Sequence, residues 1–334
     1  MDAYRIIGIE SSPYAVKVRA VMRYRHLPHR WIARMPQFFT ETADVRPLIM
    51  PVVQFPDGTY HTDSTPIIYR LEDLHPSQRS VLPDMPALAF VAALIEDFAD
   101  EWVTKALFNY RFSSAGDQQA GAAWVMDDAH PDLAHEELAH FVESFIERQV
   151  KRMPLVGCTP KNTPVLTESY FALLGVLEQF VATDRFLFGS RPSIADFGLY
   201  AQLKTMATDP TAGELMRERA PRLRRWIGRT DDMSGVDGEW RADVSSLPPA
   251  TLAVLELCGR YYLPLLEANA AAMDAGEGEF SVTLNGREFR QSVFRYHKKC
   301  FAFLRSRYDN LSASERASVQ PLLEQTQCAA YFAT

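Results

Sequence analysis

The sequence predicts a small α/β domain over residues 1–80, an all-helical domain over 86–229, and a helical and hairpin extension over 240–334. Three observations carry that division. Strand-like and helix-like stretches alternate through the first eighty residues. Helical periodicity then runs almost unbroken from 86 to about 229. Finally, Asn285-Gly286 stands between two alternating runs, the strongest short hairpin signal. A length of 334 residues already favours more than one domain.

Taken in order, "YRIIGIE" (4–10) is a strand and "YAVKVRAVMRYR" (14–25), behind Pro13, an amphipathic helix. "HRWIAR" (29–34) is a second strand. "MPVVQF" (50–55) and "TYHT" (59–62) flank Pro56-Asp57-Gly58 and form a hairpin. "TPIIYRLEDL" (65–74) starts behind Ser64 with Pro66 early in the helix. The order is β-α-β, then β-β-α. "HPSQRSVLPDMP" (75–86) is polar and proline-bearing, a linker, and "ALAFVAALIEDFADEWVTKALF" and "TESYFALLGVLEQFVA" carry the helical period beyond it. "TDDMSGVDGEWRADVSSLPP" (230–249) is a second linker. The extension holds a helix from Ala250, the hairpin "FSVTLNGREFR" (280–290), the helix "YHKKCFAFLRSRYDNL", and a last helix behind the Ser312–Glu315 capping box. A lone two-stranded hairpin is marginal in water, so this extension is expected to pack on the helical domain.

Composition narrows the function classes. Hydrophobic residues make up 47% and charged residues 23%, enough for a sizeable core. A net charge of -7 gives no support to nucleic-acid binding. The six arginines of "RERAPRLRRWIGR" (217–229) read as a solvated helix end. "MDAYRIIGIE" lacks the pattern of a signal peptide, and uninterrupted apolar runs such as "ALAFVAALI" (87–95) are too short to cross a bilayer. The four cysteines lie far apart without a CxxC, as unpaired thiols in a reducing compartment do. A cytoplasmic protein with no membrane partner is expected. In "HPDLAHEELAH" the histidines recur every five residues, which turns the second of "HEELAH" about 100° away from a zinc-protease pair. No metal is expected there, and no GxSxG, GxxxxGK[ST] or GxGxxG occurs.

The chemistry gathers elsewhere. In "GIESSPYAVKVR" (8–19) a strand stops at Ser11, Ser12, Pro13 and Tyr14 and hands over to a helix N-terminus. Such a junction carries partial positive charge and unpaired N–H groups, a seat for an anion. The two serines also suit plain helix capping. In "IMPVV", Pro51 opens a strand, where its missing donor is not felt and a cis peptide is tolerated. "DSTPII" places Asp63 and Ser64 at another helix N-terminus. The predicted sheet can bring all three turns to one edge.

On these residues the chain resembles the cytosolic glutathione S-transferase family, over roughly residues 4–229. "IIGIESSPYAVKVR" is similar to the active-site segment of serine-type classes such as tau, in which a serine directly precedes a proline and an aromatic residue. "IMPVV" resembles the family's cis-proline segment, "DSTPII" its acidic-Ser pair, and "FLFGSRPSIADFGLYAQL" (186–203) its helical capping segment, with Ser193 and Asp196 as the box. The resemblance implies a thioredoxin-like first domain. It implies Ser12 as the catalytic hydrogen-bond donor to the glutathione thiolate, Met50 and Pro51 as the clamp on the cysteinyl backbone, and Asp63 and Ser64 as the γ-glutamyl site. It also implies glutathione as co-substrate, an electrophilic small molecule as second substrate, a detoxification role, no metal, and a homodimer in which the first domain of one subunit faces the helices of the other. Tyr14, Trp102, Tyr110 and Arg111, with Phe112, stand where the family builds its electrophile pocket. Aromatics at this helical spacing suit a core equally well.

Departures are visible too. Residues 1–80 hold no cysteine, against the thiol-exchange members of the family. "RPLIM" offers only Arg46 where a lysine often precedes the clamp, and Pro66 follows Thr65 where small or apolar residues are usual. Two rival functions stay open: a glutathione-fold binding or interaction protein with little turnover, and a glutathione-dependent isomerase.

Overall fold

In the computed structural model, which describes residues 3–33 and 36–332, the first region runs β1 (Tyr4–Gly8), α1 (Pro13–Tyr24), β2 (His29–Ala33), α2 (Pro36–Glu41), β3 (Val52–Gln54), β4 (Tyr60–Thr62) and α3 (Ser64–Leu74). The sheet order is β2-β1-β3-β4. β1 and β2 are parallel, with Tyr4 opposite His29, while β3 lies antiparallel to both β1 and β4. This is a thioredoxin-like sheet, and α1 is the crossover that its parallel pair requires. Pro13 at the first helical position and Ser12 before it start α1. One side of α1 lies on the sheet and another on the helical region, so Lys17 and Arg19 are buried along with Val16, Val18 and Ala20.

Two details depart from the sequence expectation. The sequence reading places no element between 34 and 50, and α2, with six residues, is too short to show a period. Asp63, not Ser64, is the N-cap of α3, and Ser64 is its first helical residue.

The helical region begins with α4 (Pro86–Phe98), which passes through a π-helical turn (Ala99–Val103) into α5 (Thr104–Ser113). It continues with α6 (Ala115–Ala129), α7 (His135–Arg152), α8 (Thr163–Thr183), α9 (Ile194–Thr208), α10 (Pro210–Arg219) and α11 (Pro221–Thr230). The capping box of α9 is closed: the Ser193 amide donates to Asp196 Oδ2 at 2.8 Å, and the Asp196 amide donates to Ser193 Oγ at 3.4 Å. By length and hydropathy the 21-residue α8 is apolar enough to cross a membrane, which the search for uninterrupted apolar runs missed. Here it packs Leu166, Tyr170, Leu173 and Leu177 against the protein's own helices. His130 caps α6 and His135 opens α7, and among the described residues no group of three His, Cys, Asp or Glu could hold a metal ion.

The remaining chain forms α12 (Pro249–Leu257), a π-helical turn (Cys258–Tyr262), α13 (Leu263–Asp274), the hairpin β5 (Glu279–Leu284) and β6 (Arg287–Ser292), α14 (Arg295–Asp309) and α15 (Ala313–Gln325). Asn285 (φ 48°) and Gly286 (φ 76°) take the left-handed conformations a two-residue hairpin turn demands. The hairpin buries Phe280, Leu284 and Phe289. Phe289 lies 5.6 Å from the Trp102 ring, Trp102 stacks on Tyr261 at 5.7 Å, and α14 and α15 pack along α4. One hydrophobic core thus runs through all three regions. Residues 231–237 turn back to the first region: Asp231 accepts from Arg19 (3.1 Å) and Arg23 (2.6 Å), and Arg79 donates to the carbonyls of Met233, Ser234 and Val236. All four cysteines are free and buried.

Candidate functional site

At the end of β1 the chain turns through Ile9–Ser11 into α1. Ser12 Oγ accepts the Ala15 amide at 3.4 Å, the long bond of a helix cap. The residue is half-buried, and among the described residues nothing accepts its hydroxyl proton. Ser11 is different. It is buried, its amide donates to Asp128 Oδ2 at 2.7 Å, and its carbonyl accepts Arg111 Nη1 at 3.2 Å. Its hydroxyl lies near enough to Asp128 to favour that carboxylate's ionised form, although no bond of ordinary hydrogen-bond geometry closes. Arg111 is fixed by Asp209 (Nε–Oδ2 2.9 Å) and lies over the Trp124 ring. Gly121 makes room for it, since a Cβ there would stand 2.6 Å from Arg111 Cγ. Arg111 therefore braces the turn from behind.

The Met50–Pro51 peptide is cis. A Cβ built on Gly8 would meet Ala15 Cβ at 2.7 Å and Pro51 Cβ at 3.7 Å, so the start of α1 and the cis-proline are immediate neighbours. Met50 packs against Ile9, Val125, Met126, Leu138 and Val142, an apolar cluster shared with α6 and α7.

The third corner is the N-terminus of α3. Tyr296, from α14, donates its hydroxyl to Asp63 Oδ2 at 2.6 Å. Ser64 is only 2% exposed, and its Oγ lies 3.5 Å from both Lys17 Nζ and Asp100 Oδ2. Lys17, fully buried, binds Glu96, Asp100 (2.7 Å) and Thr65 Oγ1 (3.1 Å). The Tyr14 hydroxyl is shared between the Asp100 carbonyl (3.0 Å) and Thr104 Oγ1 (3.3 Å). His297 Nε2 stands 3.2 Å from Glu101 Oε2, and Tyr262 donates to Asp97 Oδ2 at 2.7 Å.

Four carboxylates in this cluster share very little compensating charge. Burial pushes Glu96 and Glu101 above the usual carboxylate range and takes Asp97 to about 7. Burial alone would lower Lys17, but Asp100 and Glu96 outweigh it and hold the ammonium charged. Burial, then the Lys105 charge, keeps His297 neutral, well below an ordinary histidine. Asp63 is raised by burial, against the Tyr296 hydroxyl and Lys17.

Ser12, Pro51 and the α1 N-terminus are therefore adjacent, and Tyr14 and Lys17 tie α1 to the Asp63–Ser64 corner. Of the residues assigned to a second-substrate pocket, Trp102 and Arg111 are buried and Tyr110 is half-buried. Trp102 is 1% exposed, donates to Ser169 Oγ at 3.2 Å and belongs to the core. Tyr110 packs on Tyr170 of α8. Helical spacing of aromatics marks a buried face, and here that face is core. Ser64, assigned with Asp63 to the γ-glutamyl site, has its hydroxyl turned toward the Lys17–Asp100 contact. The sequence reading missed Lys17, Glu96, Asp100, Glu101, Asp128 and Tyr296. A signal existed in "IEDFADE", where four acids interrupt an otherwise apolar helix.

Comparison with known proteins follows from this geometry. Residues 6–79 match the family model for the glutathione S-transferase N-terminal domain, and residues 136–229 that for the C-terminal domain, together about half the chain. A search of curated proteins found no match. Among solved structures, similar chains include a beta-etherase from Sphingobium sp. strain SYK-6 (18% identity, 76% of this chain and 99% of that one, TM-score 0.49). A glutathione S-transferase from Methylobacterium radiotolerans in complex with glutathione sulfonate shares 20% identity over 73% of this chain and 98% of that one, with a TM-score of 0.44. A tau-class enzyme from mango, Mangifera indica, shares 16% over 70% and 90%, with a TM-score of 0.43.

Proposed function

Since the chain belongs to the glutathione S-transferase family, we propose that it is a glutathione transferase whose thiolate is stabilised by Ser12. The observation that carries this reading is the uncommitted hydroxyl proton of Ser12, held at the N-terminus of α1 beside the cis-proline. A thiol of pKa about 8.5 is mostly protonated at neutral pH. A preorganised O–H donor and a helix N-terminus both favour its thiolate. In the reaction the thiol proton goes to solvent and the sulfur forms a bond to the electrophilic carbon. The displaced electron pair leaves with the leaving group or, in an addition, takes up a proton on the acceptor. Met50 and Pro51 would hold the cysteinyl backbone. Asp63 would receive the ammonium, and the N–H groups of α3 the neighbouring carboxylate. Tyr14 and the apolar surface around Met50 would adjoin the electrophile, which fits an apolar compound. A cytoplasmic homodimer belongs to the same reading, and light scattering that reports a monomer near 37.8 kDa at micromolar concentration contradicts it.

The crowding of Asp63 by Tyr296 and the burial of Ser64 favour a second reading, a binding protein with little turnover. Calorimetry with reduced glutathione at millimolar concentration decides whether it binds. A panel of electrophiles then separates transferase from binder. Absence of heat and of any thermal shift overturns the glutathione reading altogether.

A further inference from the structure

The C-terminal extension reaches Asp63 through Tyr296. Tyr296, the second residue of α14, crosses 233 residues of chain to place its hydroxyl 2.6 Å from Asp63 Oδ2. Asp63 has φ 73° and ψ 116°, a conformation that non-glycine residues hold only when their surroundings impose it. An aspartate at a helix N-cap usually gives its carboxylate to its own helix. Here no side-chain cap bond closes, although the Thr65 amide lies near enough to favour the ionised form. Oδ2 is taken by the tail, while among the described residues nothing donates to Oδ1, and the residue is half-exposed.

We propose that Tyr296 is a positioning residue of the ligand site: its hydroxyl orients the Asp63 carboxylate so that the remaining oxygen receives the primary ammonium of a γ-glutamyl thiol. This deepens the glutathione reading and rests on it. The tyrosine is itself well anchored. Its neighbour His297 pairs with Glu101, and further along α14 Phe303 meets the Tyr69 ring at 6.0 Å, so the hydroxyl arrives already ordered. Burial holds the Tyr296 phenol far above its ordinary range, so it remains a donor at every working pH. The groups that act on Asp63 come from every side: the charges of Lys17 on α1 and of Asp100 and Glu101 on the π-helical turn, the Thr65 amide on α3, and the neutral Tyr296 hydroxyl on α14. Lys17 and the Tyr296 hydroxyl favour its ionised form; burial and the two acids oppose it. Without the hydroxyl, Asp63 would keep its proton to higher pH and lose its hold on an ammonium.

The test is calorimetry across pH with Tyr296→Phe, which keeps the ring and its packing. Two thiols are compared: reduced glutathione, and its analogue with the α-amino group replaced by hydrogen. Glutathione should bind about fivefold to tenfold more weakly to the variant at neutral pH. The pH below which its binding is lost should rise, and the deaminated analogue should be unaffected. Asp63→Asn should erase the preference between the two thiols and make a further Tyr296→Phe silent. Unchanged or tighter glutathione binding by Tyr296→Phe with an unmoved pH profile overturns the proposal, since the hydroxyl would then be idle or a plug. Equal losses for both thiols overturn it as well, as the mark of a merely structural role. A wild-type protein that binds neither thiol removes the glutathione reading itself. One that binds both while Tyr296→Phe changes nothing removes this inference alone.

Discussion

Two helix N-termini meet at the same edge of the sheet, and their surroundings carry very different charge. At α1 the capping residue is a neutral serine whose proton meets no acceptor among the described residues, and Arg111 and Asp128 grip the backbone of Ser11 instead. At α3 the positive end of the helix is set against Asp63, Glu96, Asp100 and Glu101, with one buried lysine between them. The first suits an anion such as a thiolate. The second sets a carboxylate that suits a cation, Asp63, beside helix N–H groups that suit an anion. The difference teaches what the resemblance alone did not: the ligand of this edge should be dipolar, and the acid-rich end depends on parts of the chain far from the first domain.

The most severe way to break this comparison is to remove the lysine. Lys17→Met leaves Glu96 and Asp100 buried without a counter-charge, and thermal or urea unfolding should register a loss of about 3–5 kcal/mol. Stability equal to the parent would mean that those carboxyls are neutral and the α3 corner carries little charge. At the other terminus, Ser12→Ala should cost turnover about 2–4 kcal/mol of transition-state stabilisation and, by removing the cap on the Ala15 amide, about 1 kcal/mol of stability.

A smaller effect tests the acids behind α3. Burial and the Glu96 charge raise Asp97 to about 7, so the folded state holds its proton where the unfolded chain, near 3.9, has lost it. Between about pH 4 and 7 the folded state binds more protons than the unfolded one, so this group's contribution to stability falls as pH rises and is flat beyond both ends. Asp97→Asn should therefore gain roughly 1–3 kcal/mol above pH 7 and nothing below about pH 4, part of the gain being offset by the amide's own need for partners. A parallel loss at every pH would instead mark the Tyr262 hydrogen bond as what matters. The least effect is expected from Ser11→Ala, whose buried hydroxyl closes no bond: turnover should move by about threefold at most. If Ser11→Ala proved the damaging change and Ser12→Ala the silent one, the register at the turn would be reversed.

The α1 corner was legible in the sequence and the α3 corner only in half. Strand, serine pair, proline and helix follow one another within "GIESSPYAVKVR", so the anion seat is a local pattern that can be read along the chain. Pro51 and the Asn285-Gly286 turn are legible for the same reason, each being a backbone constraint carried by the residue itself. Lys17 was overlooked because in a lone amphipathic helix a lysine is assigned to solvent, and only packing of α1 on both sides buries it. Tyr296 meets Asp63 across 233 residues, and nothing in "YHKKCFAFLRSRY" distinguishes a hydroxyl bound for another domain from one on a solvated face. Trp102 and Tyr110 failed in the opposite sense. Their spacing fits a pocket wall and a core face alike; Tyr261 and Phe289 make Trp102 core, and Tyr170 leaves Tyr110 half-buried at its margin.

The central claim is that Ser12 lowers the pKa of a bound thiol, and the ultraviolet thiolate absorbance of glutathione titrated on the protein reads this directly. In the wild type the bound thiol should titrate at least about one unit below its free value near 8.5. In Ser12→Ala the midpoint should climb back toward that value, short of reaching it by whatever the α1 N-terminus supplies alone. A bound thiol that titrates as it does in free solution, or one whose depressed midpoint is identical in the two proteins, would contradict the account.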